Sequence, residues 1–301
     1  MRIGVTGAAG FIGGWLLNEL TANGHDVVGI DRHRSDDPRI VRRDLLDPTI
    51  AAGWVKWAKA DAVVHLAAQV GRIFGEDDLR CTVRLNAEMT TVLAQACGDA
   101  GTRLAYASTS EIYGDHGDAD YDEDAPWLMP RNLYGLTKRW GEEVCRMYAP
   151  DRLVIFRPSM PYGPGCPPGR GRRAMDTMLW QAHHRMPITV HRGGERSWCW
   201  VGDTVRGIRL AIEQPDAGVF NIGRDDDPRS MLEIAQLACK LAGAPDTLIE
   251  EVDAPEKQIV VKRLLTDRIR ALGWAPTVDL ADGMAQVYEW VTGFDTDGHR
   301  P

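Results

Sequence analysis

The sequence predicts an α/β protein with a doubly wound parallel sheet and a smaller C-terminal α/β part. Three observations predict it: short apolar runs recurring through the first half, longer segments of helical character between them, and a glycine-rich turn directly after the first run. The runs fall at residues 3–5, 27–30, 62–66, 104–107 and 153–156. Each is apolar at consecutive positions, as a strand covered by helices on both faces must be. Residues 81–97 and 137–147 read as helices. Beyond Arg157 the texture changes: Pro158, Pro161, Pro164, Pro167 and Pro168 punctuate the chain up to Arg173, which reads as an ordered loop leading into a second part. Residues 219–222 read as a late return to the sheet. The expected division is therefore interleaved, with 1–162 and about 201–223 in one unit and about 163–200 and 224–301 in the other.

Composition narrows the class of function. With 301 residues, 44% hydrophobic and 26% charged, the chain can bury one large core or two modest ones. A net charge of -8 argues against a nucleic-acid partner, and no basic block supplies one locally. The opening MRIGVTGAAG lacks the charged-then-apolar plan of a signal peptide, and no apolar stretch reaches the roughly 18 residues of a membrane span. A soluble protein, away from membranes, is expected. Six cysteines without a CxxC pair indicate neither zinc nor disulfides, so a reducing cytoplasm is the simplest home. His183 and His184 are adjacent with no carboxylate or thiol at ligand spacing, so no metal is expected.

Gly7, Gly10 and Gly13 follow the first strand and open a helix carrying Ile12, Leu16 and Leu20. This spacing lets backbone turn tightly, approach a pyrophosphate and pack the helix against the sheet, the Rossmann-type arrangement for a dinucleotide. A glycine triplet alone is weak; the preceding strand and following helix strengthen it. Asp31 ends the second strand, 18 residues past Gly13, near the place where a carboxylate holds ribose hydroxyls. That favours NAD over NADP, while Arg32 keeps a 2′-phosphate in play.

Tyr134 and Lys138 stand four apart at the start of a predicted helix and share one face. An ammonium beside a phenol favours the phenolate, so the pair is expected to give a general base at neutral pH. YxxxK is common by chance, and an exposed helix pair is the plain alternative. Its company decides: TGAAGFIG at 6–13, HLAAQVG at 65–71, STSEIYG at 108–114 and YGLTK at 134–138, then RPSMPYGPG at 157–165, GGERSWCWVGD at 193–203, NIG at 221–223 and LGWAPTVDLADG at 272–283. In this order the blocks resemble the extended short-chain dehydrogenase/reductases, and within them the nucleotide-sugar epimerases, dehydratases and decarboxylases, over nearly the whole chain.

The resemblance implies an NAD-dependent enzyme acting on a nucleotide-sugar, with a homodimer as the usual assembly. It places Gly7, Gly10, Phe11, Ile12 and Gly13 on the cofactor, Asp31 and Arg32 at its ribose, Asp44 and Leu45 at the adenine, Leu66, Ala67 and Ala68 along it, and Asn86 behind the nicotinamide half. Thr109 would bond the sugar 4-hydroxyl beside Tyr134, which removes its proton as hydride leaves C4. Arg196 would meet the substrate diphosphate, with Arg263 or its neighbour Lys262 as a second cation. Two departures stand out: Met160 occupies a position the family usually gives to asparagine, and CPPGRGRR at 166–173 is rich in proline and arginine, as a phosphate-contacting lid or as a stiff surface turn.

A 4-ketone acidifies C5–H and turns a C6 carboxylate into a β-keto acid, so oxidation can lead to elimination, decarboxylation or simple re-reduction. Residues near C5 and C6 decide. Thr109, Ser110 and Glu111 form a triplet in which Glu111 would abstract the C5 proton, as in 4,6-dehydratases, or assist loss of carbon dioxide, as in hexuronate decarboxylases. Arg72 is a positional candidate for the sugar carboxylate. The triplet tilts the reading to a 4,6-dehydratase or hexuronate decarboxylase, with a 4-epimerase as the alternative. A 4-keto sugar reductase is disfavoured by Asp31, and a non-catalytic NAD-binding regulator by the intact Thr109, Tyr134 and Lys138.

Overall fold

The computed structural model describes residues 1–117, 119–126, 128–169 and 173–297, so Arg170, Gly171 and Arg172 of the proline- and arginine-rich loop lie outside the described residues. Six strands arise in the first half: β1 (Arg2–Thr6), β2 (Asp26–Asp31), β3 (Ile40–Arg42), β4 (Ala62–His65), β5 (Arg103–Ala107) and β6 (Val154–Pro158). Gly218–Ile222 returns later in the chain to complete a seven-stranded sheet, in the order Gly218–Ile222, β6, β5, β4, β1, β2, β3. Every pairing in it is parallel. The interior strands β4 and β5 are buried at every position, which explains their unbroken apolar runs. The short β3 was not foreseen: three half-exposed residues at a sheet edge give no periodic signal.

Helices cover both faces. α1 (Phe11–Ala22) buries Leu16, Leu17 and Leu20 against one face, and α2 (Pro48–Ala58), capped by Asp47 with Pro48 at its first position, packs on the other. The expected helix at 81–97 is a composite. α3 (Arg72–Asp77) leads into α4 (Leu79–Val83), a π-turn at Arg84–Glu88 and α5 (Met89–Ala100). α6 (Leu133–Tyr148) follows, then α7 (Ala174–His183), α8 (Val201–Glu213) and α9 (Met231–Ala242). α8 packs on α1 and on β6, whereas α7 and α9 pack on each other over a separate apolar cluster containing Met175, Leu179, Ile234 and Ala238. α9 starts with a full capping box between Ser230 and Glu233.

Short strand pairs build the C-terminal part. Ile188–His191 pairs with Ile249–Val252, and Glu195–Arg196 lies between Arg229–Ser230 and Val261–Lys262. Sequence blocks far apart meet here: Asp203 accepts from Thr277 N (2.9 Å) and Thr277 Oγ1 (2.6 Å), while its carbonyl accepts from Trp274 Nε1 (2.8 Å).

Met160 explains itself through its backbone. Its φ is +38°, a left-handed conformation that asparagine tolerates and methionine resists. Its carbonyl accepts from Cys199 N (3.3 Å), so the strained turn registers the two ends of the entry loop. Met160→Asn is expected to raise stability by about 1 kcal/mol, read as a higher urea midpoint with an unchanged slope.

Candidate active site

The cofactor region assembles at the carboxyl ends of β1, β2 and β4. Gly7 has φ +68° and packs so closely on the segment after β4 that a Cβ there would lie 2.7 Å from Ala67 N. A Cβ on Gly13 would lie 2.2 Å from Gly7 O, so two of the three glycines are dictated by backbone contact alone. α1 starts at Phe11 with no side-chain cap on its N-terminus and no acidic residue in its first turn, leaving amide donors for an anion. The Asp31 carboxylate sits at the mouth of this turn, accepting from Ala9 N (3.1 Å) and His33 N (2.8 Å). Arg32 beside it is exposed. A glycine cradle, free helix-end donors and a carboxylate at the end of β2 fit a dinucleotide.

Leu66–Ala68 is fixed by an internal chain of hydroxyls. Thr6 Oγ1 contacts His65 Nδ1 (2.7 Å) and accepts from Ala67 N (3.3 Å), while His65 Nε2 contacts Thr90 Oγ1 (3.1 Å). Burial, aided by Lys138, drives the His65 pKa down to about 3, so the ring is neutral. Leu45 is core, and Asp44 is exposed after β3 with its carboxylate turned back to Leu46 N (3.0 Å). Asn86, fully buried in the π-turn, accepts from Gln69 N (2.7 Å) and donates to Gln69 O (3.0 Å) and Thr137 Oγ1 (3.1 Å). Its amide thus ties the post-β4 loop to α6, making Asn86 a positioning residue in this structure.

Tyr134 and Lys138 occupy the first two turns of α6, both buried, and Thr109 stands at the end of β5 within hydrogen-bond reach of Tyr134. Tyr134 and Thr109 are thus within reach of each other, with Lys138 one turn further along the same helix. Their electrostatics differ from expectation. Burial raises the Tyr134 pKa above its ordinary value; the Thr109 hydrogen bond opposes the rise and Glu111 adds to it. Lys138 lies over the Tyr106 ring, 4.4 Å from its centroid, and burial lowers its pKa to about 8. Desolvation therefore dominates at Tyr134, and the expected pull of the Lys138 ammonium is not among the influences on its phenol.

Ser110 is buried on the 3-10 turn Ser110–Tyr113, and Glu111 beside it gathers partners from two directions. Glu111 Oε2 accepts from Asn132 Nδ2 (2.8 Å), and Oε1 forms an ion pair with Lys262. Burial pushes the Glu111 carboxyl up, and Lys262, Asn132 and Arg196 together bring it below its ordinary value. Arg196 and Lys262 are register partners on adjacent parallel strands. Arg196 donates to the carbonyls of Glu195 (2.8 Å), Ile259 (2.6 Å) and Val260, and its charge acts on Glu111. Arg263 turns away, to Asp120 (2.7 Å) and Glu195 (3.5 Å). Arg72, at the start of α3, acts on Glu76 and on His191, which in turn feels Arg196.

Asn132 is the residue that the sequence reading missed. Its Oδ1 caps α6 by accepting from Gly135 N (2.9 Å) while its Nδ2 holds Glu111, so one side chain orients both the helix carrying Tyr134 and the carboxylate. An Asn three residues before Gly135 in RNLYG is a readable N-cap signal. Among the described residues no group of three or more His, Cys, Asp or Glu is placed to hold a metal, and no helix is long and apolar enough to cross a membrane.

A dinucleotide cradle opposite a buried Tyr, Lys and Thr defines an enzyme that oxidises and reduces an alcohol. Comparison with known proteins gives the family: residues 3–223 match the NAD dependent epimerase/dehydratase family, and the chain belongs to it. It is 31% identical to UDP-glucose 4-epimerase of Mycolicibacterium smegmatis, over 96% of this chain and 98% of that protein. Against UDP-glucuronic acid decarboxylase 1 of Arabidopsis thaliana it is 27% identical over 95% of this chain and 69% of that one. UDP-glucuronic acid 4-epimerase from Bacillus cereus, solved with UDP-glucuronic acid and NAD, superposes with a TM-score of 0.86 at 28% identity, covering 97% of this chain and 99% of that chain. The protein is thus an NAD-dependent nucleotide-sugar enzyme of the extended short-chain dehydrogenase/reductase type.

Two outcomes test these assignments. Lys138→Met removes a buried charge whose pKa lies below its ordinary 10.5, so at pH 7 the variant should be more stable by up to about 3 kcal/mol while losing activity. The unfolded chain binds the extra proton between about pH 8 and 10.5, so wild-type stability should rise through that window and the gap should close, as denaturant titrations at pH 7 and 10.5 would show. Asn132→Ala should lower stability by about 1 kcal/mol through loss of the cap and reduce kcat more than it raises KM, measured by steady-state kinetics.

Proposed function

We propose that the protein is a nucleotide-sugar hexuronate decarboxylase, which oxidises C4, loses the C6 carboxylate as carbon dioxide and re-reduces the ketone in one site. The charge balance at Glu111 carries this reading. Arg196 and Lys262 face a single carboxylate, and Asp115, the other acid acting on Arg196, is paired with Arg131 (3.5 Å). A buried excess of positive charge favours a sugar that brings a carboxylate of its own. Glu111, held below the ordinary carboxylate range, is a weakened base for the C5 proton abstraction that 4,6-dehydration requires. Decarboxylation needs no such base: the C5–C6 electron pair moves into the 4-ketone, and the resulting enolate takes a proton at C5.

In this reading Tyr134, aided by Thr109, moves the proton of the 4-hydroxyl, and Lys138 supplies the neighbouring positive charge. NAD, when bound, accepts the C4 hydride and returns it; Gly7, Gly10, Phe11, Ile12, Gly13, Asp31 and Leu66–Ala68 would hold it. Arg196 and Lys262 take the carboxylate end of the sugar, with Arg72 near the entrance. The 4-epimerase remains the second reading, favoured by the similarity to UDP-glucose 4-epimerase and by a Glu111 already neutralised by its neighbours. The interleaved division of the chain, with the C-terminal strand pairs as the substrate part, belongs to the same proposal. So does a homodimer, supported by the exposed Leu79, Val83, Leu136 and Trp140 on α4 and α6. Six free cysteines support a reducing cytoplasm.

A panel of UDP-, dTDP- and GDP-sugars including hexuronates, read by mass spectrometry, tests the reaction. Loss of carbon dioxide from a hexuronate is expected; loss of water from a neutral hexose would establish the dehydratase, and unchanged mass with a new retention time the epimerase. Because the proposed route uses no base at Glu111, Glu111→Gln should lower kcat for the hexuronate by less than the roughly 100-fold expected on loss of a general base, while leaving bound NAD in place.

A further inference from the structure

We propose that Glu76 on α3 is a positioning residue that couples the seating of segment 253–260, in the C-terminal part, to the helix carrying Tyr134. Three consecutive residues at the entrance to α6 are each tied to a different support. Arg131 Nη2 donates to Glu256 O (3.0 Å). Asn132 Nδ2 holds Glu111, the partner of Lys262. Leu133 N donates to Glu76 Oε1 (3.1 Å), and the second oxygen of that carboxylate pairs with Lys257 Nζ (2.8 Å). All three links run from the C-terminal part to the start of α6, and Glu76 is the intermediary of the third.

The chemistry of that link suits a relay. Leu133 is the first residue of α6, so its N–H has no acceptor inside the helix, and the helix dipole favours a carboxylate there. Lys257, and after it the Leu133 N–H, hold the Glu76 carboxyl below its ordinary range, so it stays charged and accepts from both. α3 also rests on the reacting residue itself. A Cβ on Gly75 would lie 3.3 Å from Tyr134 Cβ and 3.5 Å from Tyr134 N, so a shift of α3 is felt at Tyr134 by contact as well as through Leu133. Within the segment, buried Ile259 is an anchor whose carbonyl accepts from Arg196 Nη2 (2.6 Å). Lys257 instead stands 60% exposed on a turn closed by Gln258 N on Pro255 O (2.9 Å). Tyr134, Thr109, Arg196 and Lys262 are buried in this form, so a ligand reaches them only when a surrounding element parts. The links at the half-exposed Lys257 and Arg131 are the ones that water can loosen, and the turn's return is registered on α6 through Glu76.

Lys257→Met removes the ion pair and leaves the Leu133 bond to Glu76; Glu76→Gln keeps an acceptor for Leu133 N and removes the charge. On the holoenzyme, hydrogen exchange of the peptide covering Leu133–Lys138 is followed by mass spectrometry, and kcat and KM are measured with UDP-glucuronic acid. Lys257→Met is expected to speed that exchange and to lower kcat, each by about threefold to fivefold, with a smaller change in KM. Lys257→Arg should restore both, and in a Glu76→Gln background Lys257→Met should change neither. Equal effects of Lys257→Met in both backgrounds, or α6 exchange unchanged by it, would overturn the proposal. The inference rests on the reading that Tyr134 moves the 4-hydroxyl proton. Turnover retained in Tyr134→Phe would sink that reading, and no turnover of UDP-glucuronic acid by the wild type would sink the decarboxylase; in either case the exchange comparison still decides the coupling.

Discussion

A buried ion pair beneath the active site sets where everything above it stands. Arg157 on β6 donates to both oxygens of Glu142 on α6 (2.9 and 2.8 Å), and both side chains are essentially inaccessible. The same guanidinium donates to Tyr113 Oη (2.9 Å) and the Glu123 carbonyl (3.2 Å), and Tyr113 passes a hydrogen bond to Asn221 (2.7 Å). Sheet, helix, the turn bearing Thr109 to Glu111 and the late strand thus share one network. Removing Glu142 would leave the Arg157 charge uncompensated in the core, at about 3–5 kcal/mol. Glu142 lies one turn beyond Lys138 on the same helix, so the network also fixes the height of the Tyr134 and Lys138 pair above β5.

The site is built from two kinds of support. Rigid parts, the strand ends and the capped α6, place Tyr134 and Thr109 within reach of each other. The C-terminal strand pair then delivers Arg196 and Lys262 in register to Glu111. In the proposed reading, chemistry at C4 would belong to the first support and chemistry beyond C4 to the second.

Low local dielectric runs through these observations. It neutralises His65, draws Lys138 down to about 8, raises Tyr134 and makes the partners of Glu111 decisive. The ammonium next to the phenol was legible as a four-residue spacing; its failure to lower the Tyr134 pKa was not, because burial is a property of the packed molecule.

The sequence by itself determined the parallel sheet, the dinucleotide cradle and the Tyr134 and Lys138 spacing, because these rest on local signals: apolar runs, glycine spacing and helical periodicity; Thr109 was implied by the family resemblance alone. It also carried the cap signal at Asn132, which passed unread. Only the tertiary structure decided that Lys262 and not Arg263 reaches Glu111, that Asn86 ties a loop to α6, that Met160 sits in a left-handed turn and that Arg173 stacks on Phe11. Each of these joins residues far apart in the chain or depends on a backbone angle, and neither leaves a periodic trace. Neighbouring cations in a sequence look alike, and strand register gives one of them to the active site and the other to the surface.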